Sequence, residues 1–574
     1  MSQGWSVDNV AHTITFLEAP ANGAAIAVNE FSTPSSNATS LWAFGAFGAY
    51  SGYPVDVELY SNRLWFAGTT NNPTTVWASK ISQWDDFGTS VPIEDDDAIT
   101  ATMVAKQVNA IQDMVPLSDL VELTTGNVWR TMGGTNNVIT PSTISFKPQS
   151  NFGCSALGSL VVGDSAIFVQ ATGAHVRDLE YDFATDKYTG NDLTVFASHL
   201  VEGHTIVDWA YQAAPFSTVW IVRDDGVLLC MAYFKEQQVL GWSHCDTTNG
   251  FYESVCSVTE GNEDAVYVVV RRVINGEIVR YVERLDTRFQ TDQRDYFFVD
   301  AGLSYDGRNT TIAPTASMSL SGGVNWDETE ALTLTCAGYA PFAASNIGDW
   351  VKLYQYTPQL DANGNAVTNE FGVIQQTQSL QVAQITAYID PNNVTVQAIG
   401  TVPVSFRGVG ITSWDFCPAT FSGLSHLIGQ TVAILADGNV KPQQTVSSAG
   451  SVTLDYPAAV VHVGLPIQSD FETLEVNAIG QEGVRDKRKI ISKVSLIVTN
   501  SRGGKIGPDP DHLYELPSRM VSDNYYPPNS LQNDLLEGYP SGTWSTSGRV
   551  FVRQDDPLPL TILSVIADVS VAGG

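Results

Sequence analysis

Along most of this chain apolar residues recur at every second position for a short run. A polar cluster holding Gly, Asn or Asp then intervenes, and the alternation resumes. A period of two marks strands with one face covered, and the Gly-, Asn- and Asp-rich breaks mark hairpin turns. The stretch Trp5 to Val28 (WSVDNVAHTITFLEAPANGAAIAV) has this form, with a turn expected at Ala21-Asn22-Gly23. A helical apolar period is hard to find anywhere, so the pattern predicts an all-β chain. From Leu64 a larger unit repeats weakly: LWFAGTTNNPTTVWAS (64–79), LVELTTGNVWRT (120–131), AIFVQATGAHVRDLEY (166–181), TVWIVRDDGVLLCMAYF (218–234) and AVYVVVRRVINGEIVRYVERLD (265–286). Their starts lie 56, 46, 52 and 47 residues apart, close to the period of roughly 40–50 residues of four-stranded propeller blades. The expectation is a β-propeller-like body completed by strands from outside this stretch; a pair of β-sandwiches would give a similar pattern.

Near Thr310 the composition shifts. Between Arg308 and Arg407 the only basic residue is Lys352, and Ser, Thr, Ala, Gly and Asn dominate. Strand patterns at 348–356 and 380–400, the second broken by a Pro391-Asn392-Asn393 turn, predict an inserted small β-barrel or sandwich domain over 311–418. The body pattern then resumes with a hairpin around Asp437-Gly438 in HLIGQTVAILADGNVKPQQTV (426–446). Strands follow in 451–467, 490–501 and 550–571, the last placed to close a ring. The Gly-, Pro-, Asp- and Asn-rich stretch 503–548 reads as a long surface excursion. The resulting division is an N-terminal strand segment (1–50), body (51–310), insert (311–418) and body with closing strands (419–574).

Charge narrows the function. The 574 residues carry 29 Lys+Arg against 61 Asp+Glu, a formal net charge of −32. Such a chain repels phosphate backbones, which argues against DNA binding by counterion release. It suits either a solubilising surface or a channel wall that DNA passes without sticking. The six cysteines fall in no metal-ligand spacing and read as buried thiols of a reducing compartment. Neither a signal peptide nor an apolar run of the ~20 residues needed to span a membrane is evident.

Several pieces taken in order resemble a known family. They are GYPVDVELYSNRLWFAGTTNNPTTVWAS (52–79), DDDAIT (95–100), QVNAI (107–111), VVGDSAIFVQ (161–170), VRDLEYDF (176–183), DLTVFASHL (192–200), WIVRDDGVLL (220–229) and VRYVERLD (279–286). Beyond the insert come HLIGQTVAILADG (426–438), VVHVGLP (460–466) and QDDPLPLTILSV (554–565). From about Gly52 to Val571 this order resembles the tail nozzle, or tail tubular protein B, family of short-tailed bacteriophages, whose relatives stabilise packaged DNA. The segment before Gly52 departs from longer relatives. The resemblance implies a β-propeller body in a hexameric ring below the adaptor and portal, with the insert distal as an exit gate. It also implies contacts with tail fibre, spike or needle proteins, passage of double-stranded DNA without sequence-specific binding, and location in the virion tail after assembly in the host cytoplasm. No enzyme activity and no cofactor are expected. The alternatives are a glycan-binding or a polysaccharide-degrading tail propeller.

The candidate chemistry is sparse. Glu94-Asp95-Asp96-Asp97 is the densest acidic run; it lacks the spacing of an EF-hand and reads as a solvated loop or a channel-facing rim. Arg485, Lys487, Arg488 and Lys489 (RDKRK) form a basic cluster, suited to a DNA or subunit contact or to a guarded strand edge. The pairs Asp85-Asp86, Asp224-Asp225 and Asp555-Asp556 are adjacent carboxylates, whose side chains diverge on strands and so suit glycoside hydrolysis poorly. Asp224-Asp225 precedes Gly226 and fits a hairpin turn. The histidines are scattered; His199 and His204 fit no zincin helix. Trp65, Trp77, Trp129, Trp220 and Trp242 fall in or beside the repeated hairpins and are expected to pack between blades.

Overall fold

The computed structural model describes residues 5–8, 13–16, 45–134, 137–274, 276–360, 365–367, 374, 376–479, 482–518, 528–540 and 544–572. Strand accounts for 51% of the chain and helix for 4%, so the fold is all-β. Two compact units emerge: residues 1–272 with 280–285, and residues 273–279 with 286–574. The N-terminal strands Trp5–Asp8 and Thr13–Phe16 pair antiparallel. The turn expected at Ala21-Asn22-Gly23 lies outside the described residues.

Besides this N-terminal pair, the first unit contains five antiparallel sheets, each a meander of consecutive strands. The first uses Asp56–Tyr60, Arg63–Ala67, Thr75–Ala78 and Ile99–Thr102. The second uses Ile111–Pro116, Leu120–Thr124, Val128–Met132 and Ser145–Ser150. Leu160–Val162, Ser165–Val169, Val176–Asp182 and Lys187–Thr189 make the third. Ile206–Gln212, Thr218–Arg223, Leu228–Phe234 and Val239–Cys245 make the fourth. The fifth has three strands, Gly250–Glu260, Glu263–Ile274 and Glu277–Arg284. Each of the five repeated sequence segments supplies one hairpin to a different sheet.

Neighbouring sheets pack face to face. Trp65 and Ala67 of the first meet Met114, Leu120 and Trp129 of the second. Val121, Leu123 and Val128 meet Ala166, Phe168 and Leu179 of the third. Ile167, Val169 and Val176 then meet Val219, Ile221 and Leu229 of the fourth, and Trp220, Val222 and Leu228 meet Val255, Val266 and Val268 of the fifth. Odd and even positions of one strand thus enter two different cores: Ala166 and Phe168 one way, Ile167 and Val169 the other. This explains why SAIFV and TVWIV are continuous apolar runs instead of alternating ones; both faces are covered. The unit is thus a row of antiparallel meanders packed face to face.

Apolar faces alone set no register between sheets; directional bonds do. On the opening strand of the first sheet, Asp56 accepts the Met114 amide of the second at 2.7 Å. On that of the second, Asp113 accepts the Ser159 amide at the start of the third at 2.7 Å. On that of the fourth, Asp208 accepts the Val255 amide of the fifth at 2.9 Å and the Ser254 hydroxyl at 2.6 Å. Between the third and fourth sheets the indole of Trp209 instead donates to the Gly158 carbonyl at 2.8 Å.

The second unit holds a four-stranded sheet in the order Val299–Asp306, Val460–Pro466, Thr431–Ala436, Asn439–Thr445. Its hairpin turns at Asp437-Gly438, both at positive φ (47° and 72°), the conformation a two-residue type I′ turn demands and Gly adopts freely. Between its strands is a six-stranded sheet in the order Ser317–Ser321, Ala331–Ala337, Asn393–Ile399, Gln376–Asp390, Trp350–Pro358, Trp414–Cys417. Residues 407–411 bridge back to the first strand through Leu320 and Met318, while 414–417 ladder onto Trp350–Leu353. One segment therefore touches both edges and curls the sheet round a core that includes Met318, Leu334, Ile385 and the buried Trp414.

Beside two short two-stranded ladders, the remaining strands form two larger sheets, one ordered Ser469–Glu472, Phe551–Gln554, Lys505–Gly507, Tyr514–Glu515 and one ordered Leu535–Gly538, Lys489–Thr499, Thr561–Val571. They share a core of Val494, Leu496, Ile506, Leu516, Leu536 and Val552. One sequence expectation changes here. The stretch 503–548 is more than a surface excursion, because it contributes three of these strands and the buried Ile506, Leu516 and Leu536. The C-terminal strand ladders onto Lys489–Thr499 of the second unit, its only ladder partner among the described residues.

Candidate functional site

The acidic run 94–97 precedes the last strand of the first sheet and divides sharply. Glu94, Asp95 and Asp96 are exposed, whereas Asp97 is buried. The Asp97 carboxylate accepts the amides of Ser90 (2.7 Å) and Glu94 (2.9 Å) and the Ser90 hydroxyl (2.9 Å), and pairs with Lys80 at 3.2 Å. These bonds, the Glu94 and Ser90 amides foremost, hold its carboxyl far below the usual range. Beneath the loop the buried Arg63 donates to the carbonyls of Asp97 (2.7 Å), Asp95 (3.0 Å) and Ser79 (2.6 Å). A guanidinium with fixed, forked donors suits this backbone cradle. The arrangement presents three carboxylates outward on a loop tied down by the fourth.

The basic cluster divides likewise. Arg485 and Arg488 are exposed and Lys487 is half-buried, but Lys489 is 1% exposed. The Lys489 ammonium donates to the Thr546 carbonyl at 2.5 Å, and its backbone exchanges both hydrogen bonds with Ser545. Lys489 is therefore an internal brace, and the outward members are Arg485, Lys487 and Arg488.

Among the described residues one group has metal-ligand proximity: His204, Asp224 and Asp225, whose ligand atoms lie within 4.8 Å of one another. Asp224 and Asp225 sit in the turn of the central hairpin of the fourth sheet, before Gly226. His204 Nδ1 lies 3.1 Å from Asp224, and Thr205 donates to the same carboxylate at 2.9 Å. Arg223 already grips Asp225 through two nitrogens. That guanidinium stands where a cation would need the carboxylate, so the geometry is that of a pinned turn. The other adjacent pairs are also committed locally: Asp86 accepts the Gly88 amide at 2.7 Å and Asp555 pairs with Lys505 at 2.6 Å.

Two features escaped the sequence reading. Glu122 lies in the middle of a central strand, wholly buried, and accepts a hydrogen bond from Thr131 while its other oxygen has no partner. Burial pushes its carboxyl up to about 8, so it is protonated at neutral pH. The signal was available: a lone carboxylate between apolar neighbours in LVELT. The second feature is the neck of the six-stranded insert. Arg308 bridges to Asp415 and forks onto Asp295 (2.6 Å) and Asp306 (2.8 Å). Arg294 reaches Asp292 (2.8 Å) and Asp415 (3.2 Å), and the Tyr354 hydroxyl donates to Asp415 at 2.8 Å. Lys352, the only basic residue between Arg308 and Arg407, pairs with Asp437 of the hairpin turn at 2.6 Å.

Trp65, Trp77, Trp129 and Trp220 are buried and Trp242 is half-buried. Of the cysteines, Cys154, Cys336 and Cys417 are buried, Cys230 and Cys245 half-buried and Cys256 exposed. No helix among the described residues is long and apolar enough to cross a membrane. Set against known proteins, the sequence matches no family model and no curated protein.

Proposed function

We propose that this chain is a structural subunit of the tail of a short-tailed bacteriophage, a nozzle-type ring that extends the DNA channel, retains packaged DNA and conducts it during ejection. The observation that carries the reading is the row of five sheets, each interior one buried on both faces and most tied to the next by a directional bond. Such a stack is a stiff wall, and its charged clusters serve turns and necks. The ordered sequence resemblance from Gly52 to Val571 supplies the tail assignment and the six-fold symmetry. In this role the exposed Glu94, Asp95 and Asp96 keep a passing phosphate backbone from adhering, and the insert, braced at its charged neck, serves as the distal gate.

Electron microscopy of the purified protein or of isolated tails tests the class. Six-fold rings with a central hole are expected; a chain that stays monomeric at every concentration overturns the proposal. Deleting residues 311–418 tests the gate, since particles should still assemble but leak DNA. Tight, infectious particles from that deletion would remove the gate from the scheme.

A further inference from the structure

Among the described residues the strand Thr561–Val571 is an edge of its sheet, and its protection is unusual. Edge strands of folded proteins normally carry Lys, Pro or a short length to deter pairing. This one runs 11 residues as TILSVIADVSV, with Asp568 its sole charge. On its outer side Leu563 is 64% and Ile566 51% exposed, beside the exposed Ile497 and Leu535 of the neighbouring strands. On its inner side Ile562, Val565, Ala567 and Val569 touch the sandwich core yet are only partly buried, whereas Ile491, Val494, Leu496 and Val498 of the central strand are buried. The core is therefore unfinished at this edge, as it would be if one strand were missing.

The chemistry around the edge narrows the occupant. At its far end Val571 lies opposite Lys489, and the Ala572 amide donates to the Arg488 carbonyl at 2.8 Å. The exposed Arg488 thus stands at the end of the open ladder, and the exposed Arg485 lies three residues before it in the turn that the Lys487 amide closes onto the Val484 carbonyl. An incoming group must add backbone hydrogen bonds and apolar side chains, which only an extended polypeptide does, and it must bring carboxylates to the two arginines. A second copy of this chain, with 61 acidic against 29 basic residues, meets both demands. Copies this acidic repel one another, so self-contact is least costly where one side is nearly uncharged and flanked by arginine.

We infer that copies of this chain associate by β-augmentation: a strand of one copy pairs with Thr561–Val571 of the next and completes its core, with acidic side chains on Arg485 and Arg488. This deepens the self-assembly in the proposed function and rests on it for the ring, not for the contact. The test uses the full chain. Hydrogen exchange over 561–571 should slow as protein concentration rises. The double variant Leu563→Lys/Ile566→Lys, at positions already exposed, should weaken self-association at least about tenfold in sedimentation without shifting Tm. Arg485→Glu/Arg488→Glu should weaken it too, and more at low salt. Rings that form unchanged in both variants overturn the edge contact and leave the ring standing. Edge-dependent association that images as open or two-fold assemblies keeps the contact and overturns the ring. A wild-type chain whose edge amides exchange independently of concentration overturns the inference outright.

Discussion

Glu122 offers the most quantitative test of how the sheets are built. Its side chain shares a face with Leu120 and Thr124 between the first and second sheets, opposite Met114 and Trp129 in the ladders. In the unfolded chain it ionises near the ordinary 4.5, and in the folded chain near about 8. Because the folded value is raised, the stabilising state is the protonated one. Its contribution is complete below pH 4.5 and is lost progressively as pH rises toward 8. Each pH unit in that window costs about 1.4 kcal/mol, so the cost reaches about 5 kcal/mol by pH 8. Glu122→Gln keeps the shape and an acceptor for Thr131 but cannot ionise. At pH 4.5 it should match the wild type or lose about 1 kcal/mol through its unpaired amide. At pH 8 it should be the more stable protein by roughly 3–5 kcal/mol. In a 574-residue chain with two units, global unfolding is not a single step. The better assay is native-state hydrogen exchange of amides in Leu120–Thr124 and Val128–Met132 at several pH values, corrected for intrinsic rates. Parallel pH dependences for wild type and variant would refute the reasoning.

Three further outcomes follow from the same geometry. Asp97→Asn should destabilise the first sheet by about 1–3 kcal/mol, whereas Asp95→Asn should change it by less than about 0.5 kcal/mol; native-state hydrogen exchange of the amides in Ile99–Thr102 separates them. Because the Asp97 carboxyl is held below its ordinary value, its contribution is present above pH 4 and falls away on acidification, so the two variants should converge in stability in strong acid. Asp113→Ala, which removes a carboxylate accepting the Ser159 amide, should cost about 1–3 kcal/mol and raise exchange at the junction of the second and third sheets, while leaving the first–second junction protected. Trp414→Ala should cost about 3–5 kcal/mol, read as loss of protection in the insert core, since its buried indole also donates to Ala316 at 3.1 Å.

Local pattern carried much of the fold. Turn residues such as Asp437-Gly438 and Asp224-Asp225-Gly226, flanked by apolar runs, located hairpins because turn chemistry and strand burial are short-range properties. The fate of charged residues was less legible, because it depends on partners remote in sequence. The run 94–97 looks uniform, yet Asp97 is internal because Lys80, Ser90 and Arg63 surround it. RDKRK looks uniform too, yet Lys489 is drawn inside by Thr546, 57 residues away. The stretch 503–548 has a loop-like composition, but short strands with at most one buried side chain each, such as Ile506, leave little periodicity to detect.

The aspartates that join successive sheets have a consequence for how such a chain can change. Each of Asp56, Asp113 and Asp208 reaches across to the next sheet and no further, and each does so from the opening strand of its own. The coupling is between nearest neighbours, by an aspartate at three junctions and by the Trp209 indole at the other, so one sheet with its bond to the next is a transferable module. Duplicating or losing a module leaves the other junctions intact. A lineage built on this plan can alter the number of its sheets by whole steps, remaking only the junction at the altered step.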